Sequence, residues 1–185
     1  MGLDMYLSRK YYVKNWDYMT DDEKHTISIL KGGKPSSIPV DKICNIQTEE
    51  MYWRKANAIH NWFVKNVQDD NDDCGYYYVS REQLRDLLNT VTMVLDSSKL
   101  VKAKIVNGSA LKDGVWEPIM EDGETLADAT VANNLLPTQE GFFFGGTDYN
   151  QWYFRDLEYT KKELERLLSE DEGNECGNFE YHSSW

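Results

Sequence analysis

The stretch Leu3-Asp4-Met5-Tyr6-Leu7-Ser8, close to the start of the chain, decides how the fold begins. Apolar side chains at positions 3, 5 and 7 alternate with more polar ones, and a period of two residues is that of a strand with one buried face. Tyr11 to Val13 is expected to continue or pair with this strand. A second alternating run, Thr26-Ile27-Ser28-Ile29, is followed by the turn residues Gly32-Gly33. The first 47 residues are therefore predicted to be mostly β.

The period changes after Thr48. Thr48 followed by two glutamates is typical of a helix N-cap with acidic residues in the first turn, where the helix dipole favours them. The apolar stripe that follows predicts a helix over residues 49–67. Ser80-Arg81-Glu82-Gln83 is a capping box, and it predicts a second helix directly after a short strand at 76–79.

The second half of the chain carries weaker signals. Residues 97–124 have scattered apolar positions among Lys, Gly, Asp and Ser, and we expect a long connection there. A helical turn is predicted over residues 125–134, a short buried strand between the glycines at 141 and 146, and a last helix over residues 149–168.

Together these elements predict an α+β fold. We expect a single compact domain over residues 1–168, in which an N-terminal antiparallel β-sheet packs against three to four α-helices. Residues 169–185 are expected to form an acidic, flexible tail. The chain has 185 residues, of which 41% are hydrophobic and 13% aromatic. That is enough apolar material for one core without disulfides or metals.

Charge and targeting signals exclude several classes. The formal net charge is −12, which argues against direct nucleic-acid binding because such binding needs a basic surface. No apolar run approaches the ~20 residues of a membrane span, and the N-terminus lacks the pattern of a secretory signal. Cys44, Cys74 and Cys176 are widely spaced, as expected of free thiols in a reducing cytoplasm. No metal site and no cofactor are predicted.

One group of polar residues is a candidate ligand site. Arg54, Asn57 and His60 lie within two turns of the predicted first helix, and Asp4 of the first strand could meet them. Such a cluster could hold an anion or transfer protons. Two structural interpretations compete with this one: Asp4 and Arg54 would form an ion pair, and His60 would be a hydrogen-bonded core residue.

Aromatic and acidic residues outside the predicted core suggest an interaction surface. Tyr and Trp are enriched in protein interfaces, although cross-strand pairs would use them equally well. The acidic run would serve either as a charged contact or simply as a solvated loop. The candidate residues are Tyr11, Trp16, Tyr76, Tyr77, Asp69, Asp70, Asp72 and Asp73.

No catalytic motif is present. The sequence contains no GxSxG elbow and no HExxH pair, and the glycines around Phe142–Phe144 match no phosphate-binding loop. We therefore assign no catalytic residues and favour a protein that is not an enzyme.

Four blocks of sequence resemble a family of small proteins encoded by bacteriophages and prophages. They are the MGLDMYL start, the run from Tyr52 to Phe63, the run from Tyr78 to Leu84, and the run from Leu135 to Gly145. The resemblance implies a biological setting and no mechanism. It implies a phage accessory protein in the host cytoplasm that binds and inhibits a host macromolecule, for example in CRISPR or restriction defence.

Two alternatives remain open. The first is a small-ligand or nucleotide-binding protein, or an enzyme, that uses the cluster of Asp4, Arg54 and His60. The second is a homo-oligomeric accessory protein.

Overall fold

A computed structural model describes residues 2–141, 143–170 and 177–185. The strands and helices, in chain order, are β1 (Asp4–Tyr12), β2 (Leu30–Lys31), β3 (Lys34–Pro35), a short 3-10 helix (Val40–Lys42), β4 (Asn45–Arg54), α1 (Asn57–Asn66), β5 (Tyr76–Val79), α2 (Arg81–Ser97), β6 (Leu100–Lys112), β7 (Val115–Leu126), α3 (Thr130–Leu135), α4 (Gln151–Glu170) and β8 (Asn178–Ser184).

The main sheet of the fold is antiparallel and has four strands in the order β4-β1-β8-β5. Its core face carries the alternating apolar residues of β1 together with Trp53, Phe179 and Tyr181. Phe63 of α1 stacks on Tyr181, with ring centroids 3.9 Å apart. The apolar stripes of α2 and α4 complete the same core. The α+β prediction, with an antiparallel sheet packed against helices, is confirmed.

Several local predictions are also confirmed. The hydroxyl of Ser80 accepts from the Gln83 N–H, and the Gln83 side chain accepts from the Ser80 N–H, which is the predicted capping box of α2. The strand at 76–79 and the last helix are present as β5 and α4. Gly32 and Gly33 have φ values of +59° and +77° and form the turn between β2 and β3, as a two-residue hairpin requires.

The helix predicted from residue 49 begins later. Residues up to Arg54 belong to β4, where Met51 and Trp53 face the core and pair with β1. The apolar positions fit a strand as well as a helix, and pairing with β1 decides between them. Thr48 is not a helix cap, because its hydroxyl contacts the Glu50 side chain and the Arg9 carbonyl.

The connection expected over residues 97–124 is instead a long two-stranded ribbon formed by β6 and β7. Its tip is the turn Asp113-Gly114, with φ values of +50° and +83°. Asp-Gly between two extended runs is a hairpin signal that the low hydrophobicity of the flanks obscured.

The prediction of a flexible tail over residues 169–185 is wrong for the last part of this range. Residues 178–184 form β8, which lies between β1 and β5 at the middle of the sheet. Phe179, Tyr181 and Ser183 are buried and alternate with more exposed residues. The acidic composition concealed this period-two pattern. Residues 171–176, including Cys176, lie outside the described residues.

Three smaller expectations also need correction. The run at residues 26–29 is not a strand, and β2 consists of the two residues that follow it, Leu30 and Lys31. The helical turn predicted at 125–134 is the shorter α3. Phe142 lies outside the described residues, and the neighbouring residues 141 and 143–146 form a turn and loop. In the described part of the chain, no helix is both long and apolar enough to cross a membrane.

Candidate ligand-binding cavity

The described residues form a cavity of about 640 Å³. Four parts of the fold enclose it: the end of β4 with the start of α1, the loop before α4, the first turns of α4, and a bulge in β6. Ligand pockets commonly enclose about 300–1,000 Å³. Its lining residues include Arg54, Lys55, Asn57, Asn107, Ser109, Thr138, Gly146, Asp148, Trp152, Arg155 and Asp156.

The start of α1 forms one wall. Lys55 has φ +61°, a left-handed conformation that lets the chain turn sharply from β4 into the helix. Its N–H donates to the Leu3 carbonyl at 2.7 Å, which ties the turn to β1. The N-cap residue is Ala56, which offers no side chain to cap the helix.

The uncapped start of α1 leaves backbone donors at the cavity. The Asn57 N–H donates to the Lys55 carbonyl at 2.8 Å. The N–H groups of Ala58 and Ile59, both cavity residues, have no acceptor among the described residues. The first N–H groups of a helix lack partners within the helix, and they favour an anion.

The side chain of Asn57 fixes the opposite wall. Its Nδ2 donates to the carbonyls of Phe144, at 3.1 Å, and Gly146, at 2.8 Å. Its Oδ1 accepts from the Gln139 N–H at 3.1 Å. One buried amide therefore holds the loop before α4 against α1. Gly145 lies in this loop with φ +91°, and a Cβ there would come within 3.2 Å of the Lys55 side chain.

The start of α4 forms a third wall. The side chain of Asn150 caps this helix, accepting from the Trp152 N–H at 2.9 Å. The Arg155 guanidinium lies 4.9 Å from the centre of the Trp152 ring. Asp156, one residue later, is half-buried, and desolvation raises the pKa of its carboxyl to about 7.

The ribbon supplies the last wall. β6 has an irregularity between Val106 and Ser109, where Gly108 takes φ +90°. Such a bulge redirects the strand and exposes its backbone. The ribbon is joined to the start of α4, because the Gln151 side chain accepts from the Glu124 N–H at 3.1 Å.

Positive charge exceeds negative charge at the cavity even though the whole chain is acidic. Arg54, Lys55 and Arg155 line it, against Asp148 and Asp156. Because the Asp156 carboxyl is easily protonated near neutral pH, the excess grows as the pH falls. Together with the open start of α1, this arrangement is chemically suited to an anion.

The predicted ligand cluster is divided in the structure. Arg54 and Asn57 line the cavity, but Asp4 and His60 do not. Asp4 pairs with Arg54 across β1 and β4, with Oδ1 and Nε 4.0 Å apart. It also accepts a hydrogen bond from the Tyr52 hydroxyl. Asp4 is thus placed to restrain Arg54 from the sheet surface.

His60 is buried and forms hydrogen bonds through both of its ring nitrogens. Its Nδ1 lies 2.7 Å from the Tyr181 hydroxyl and its Nε2 lies 3.0 Å from Asp72 Oδ2. Because a carboxylate only accepts, Nε2 carries the proton and Nδ1 accepts from Tyr181. Burial lowers the pKa of His60, so the ring is neutral. This geometry matches the structural interpretation of His60 as a core residue.

The predicted interaction residues are dispersed. Asp72 binds His60 and also the indole N–H of Trp185, and Asp73 accepts from the Tyr77 hydroxyl at 2.8 Å. These acids and Tyr77 thus take part in internal hydrogen bonds. Tyr76 stacks on His182 on the outer sheet face, with centroids 4.2 Å apart. Tyr11 is half-buried beside Arg9, whereas Trp16, Asp69 and Asp70 are exposed.

Sequence reasoning missed much of the cavity. Lys55 lies next to Arg54, a predicted site residue, but was not itself predicted to belong to the site. Arg155 and Asp156 were hidden in the polar part of the last helix. Asp156 has one signal in the sequence. It lies two residues after the apolar Phe154 and directly before Leu157, so a carboxylate stands beside the apolar stripe of the helix.

The described residues contain no group of three or more His, Cys, Asp or Glu side chains placed to hold a metal ion. Cys44 and Cys74 are free. Comparison with known proteins found no matching family model, no matching curated protein and no matching solved structure. The chemistry of the cavity is therefore inferred from its own residues.

Proposed function

We propose that this protein binds a small anionic ligand, carrying phosphate-type groups, in the cavity between α1, α4 and the ribbon. The observation that carries the proposal is the meeting of three cationic side chains with the uncapped start of α1 at one cavity. Arg and Lys, together with free backbone N–H groups, are the donors that proteins use for phosphate. The volume of about 640 Å³ suits a ligand of nucleotide size.

The setting implied by the resemblance is consistent with such a ligand. Two of the blocks that carry it, residues 52–63 and 135–145, supply parts of the cavity wall. A phage accessory protein that holds a nucleotide-type signal would act on host defence by sequestration. That role needs tight binding and no catalysis.

Direct binding measurements test the proposal. We expect ATP and pyrophosphate to bind in isothermal titration calorimetry, and adenosine, which lacks the anion, not to bind. Arg155→Ala should weaken binding of both ligands by roughly tenfold or more, because hydrogen bonds to charged groups contribute about 1.5–3 kcal/mol. Among the described residues, the Arg155 side chain has no hydrogen bond or ion pair and lies over the exposed Trp152 ring, so folding should be unaffected.

The matched control is Lys162→Ala. Lys162 lies on the same helix, is exposed, and is outside the cavity. Lys162→Ala removes one positive charge, as Arg155→Ala does, so a general electrostatic effect would weaken binding equally in both variants. Equal losses, or equal binding of adenosine, would contradict the proposal.

A second candidate function rests on an exposed apolar face of the ribbon, whose Val106 and Ser109 also line the cavity. Cross-strand pairs lie on the same face of a ribbon, and Leu111–Trp116 and Val106–Met120 are such pairs with Ser109–Pro118 between them. The four large apolar residues are 37–69% exposed. Two-stranded ribbons are marginally stable alone in water, and contiguous exposed apolar patches mark interaction sites. This face would bind a host protein, as an anti-CRISPR or anti-restriction protein does.

Affinity capture from prophage-bearing cells tests this candidate. We expect one enriched host protein with the wild type and its loss with the double variant Leu111→Ser, Trp116→Ser. The control is Tyr18→Ser, which removes an 81% exposed aromatic outside the ribbon. A partner retained by the ribbon variant would contradict the assignment, and sedimentation of the purified chain would identify a second copy as the occupant.

A further inference from the structure

Asp156 is half-buried, whereas Asp148, the other carboxylate that lines the cavity, is exposed. Asp156 lies on α4, after the exposed Arg155 and before the buried Leu157. The buried Tyr153 lies nearly one turn earlier on the same helix. Its backbone carbonyl accepts from the Thr160 hydroxyl at 2.7 Å, and that hydroxyl in turn accepts from the Trp53 indole at 2.8 Å. This chain of hydrogen bonds fixes the position of Asp156 against β4.

The carboxyl of Asp156 has no partner of its own. Among the described residues, no group hydrogen-bonds to it or forms an ion pair with it, although it lines a cavity that also contains Arg54, Lys55 and Arg155. A half-buried carboxylate without a partner is costly, and the cost is relieved by a proton or by a ligand. Desolvation accordingly brings its pKa to about 7.

We propose that Asp156 contacts the ligand as a carboxylic acid and donates its proton in a hydrogen bond to the bound anion. The inference rests on the proposed function and names one contact within it. Arg54, Lys55 and the start of α1 would supply the charge, and Asp156 would supply a donor that is present only when protonated. Ligand binding is then coupled to uptake of one proton.

The direction of the pH effect follows from this coupling. Below pH 7 the acid is already protonated in the free protein, so affinity is nearly constant. Above it, the proton must be taken up on binding, and affinity falls by up to about tenfold for each pH unit. An ionised Asp156 that bound a cationic group of a ligand would produce the opposite slope.

The experiment uses inorganic sulfate, which keeps a constant charge over the range tested, so that the ligand itself does not titrate. Sulfate affinity is measured by calorimetry between about pH 6 and about pH 9 for the wild type, Asp156→Asn and Asp148→Asn. We expect a falling affinity in the wild type and a flat profile in Asp156→Asn, because an amide donates at every pH. Asp148→Asn, which removes the other cavity carboxylate, should bind more tightly throughout and keep the wild-type slope.

The other charged groups that line the cavity are Arg54, Lys55, Arg155 and Asp148. A pH dependence in Asp156→Asn as steep as that of the wild type would overturn the role of Asp156. A flat or rising profile in the wild type would overturn the role of Asp156 and leave anion binding intact. Absence of sulfate binding at every pH, together with absence of ATP binding, would overturn the proposed function and this inference with it.

A stability measurement distinguishes a folding defect from a lost contact. The pKa of Asp156 in the folded protein is above that of an ordinary carboxyl, so the folded state holds more protons than the unfolded state between about pH 4 and about pH 7. The contribution of Asp156 to stability is therefore present at low pH and lost as the pH rises. The thermal midpoint of Asp156→Asn should show a smaller decline over this interval than that of the wild type.

Discussion

Removal of residues 177–185 is expected to unfold the protein. β8 lies between β1 and β5, so the truncation deletes a central strand and separates β5 from the rest of the sheet. It also removes Phe179 and Tyr181, which are 1% and 0% exposed. Deleting a buried aromatic side chain commonly costs about 3–5 kcal/mol, and two of them approach the whole stability of a typical domain.

Circular dichroism and chemical unfolding of the truncated chain test this prediction. The control is removal of Trp185 alone, which is 47% exposed and contacts Asp72 and Phe144 from the end of the chain. We expect that control to stay folded and to lose about 1–2 kcal/mol. A cooperative unfolding transition in the chain without residues 177–185 would show that β8 is not needed for the fold.

Replacing Asn57 by Ala is expected to disrupt the cavity. The side chain satisfies two carbonyls and one N–H of the loop before α4, and Ala would leave all three without that partner. Loss of buried hydrogen-bond partners costs about 1–3 kcal/mol each when no water replaces them. We expect a loss of roughly 2–4 kcal/mol in unfolding free energy and at least a tenfold loss of ligand affinity.

Asn66→Ala is the matched control for this variant. Asn66 lies on the same helix, and its side chain donates only to the Trp62 carbonyl one turn earlier. It should change stability by less than about 1 kcal/mol and leave binding unchanged. Limited proteolysis of residues 138–147 reports on the loop directly. If Asn57→Ala and Asn66→Ala behaved alike, Asn57 would not be the residue that holds the cavity together.

The elements that could be predicted carry their signals within a few residues. β1 alternates with a period of two, and α2 begins with a capping box whose two hydrogen bonds connect positions three residues apart. The turn at Gly32-Gly33 needs only its own backbone freedom. In each case the determining interaction is local, so a short window of sequence contains it.

The elements that were mistaken depend on distant partners. The apolar positions of residues 49–54 fit a helix or a strand, and only the pairing of Met51 and Trp53 with β1 selects the strand. Residues 178–184 look like an acidic tail until Phe179 and Tyr181 find a place between β1 and β5. The ribbon is stabilised by pairing along its length, which offsets the low hydrophobicity of its strands.

The candidate site shows the same division. Arg54 and Asn57 were identified from their spacing and do line the cavity, because the turn at Lys55 places both beside the start of α1. His60 was grouped with them by helical spacing, but its ring faces the core, where Tyr181 and Asp72 bind it. Asp156 and Arg155 lie just over a hundred residues after Arg54 in the chain, and no local pattern connects them to it.

The amino-acid sequence by itself determined that the chain folds as an α+β domain, where β1, β5, α2 and α4 lie, and that polar residues near Arg54 are worth attention. The tertiary structure alone decided which strand occupies the middle of the sheet and which side chains share the cavity. The physical reason is the sequence separation over which each interaction acts. Caps, turns and alternation act over a few residues. Strand order, the burial of Asp156 and the grouping of cationic side chains arise only when distant segments pack together.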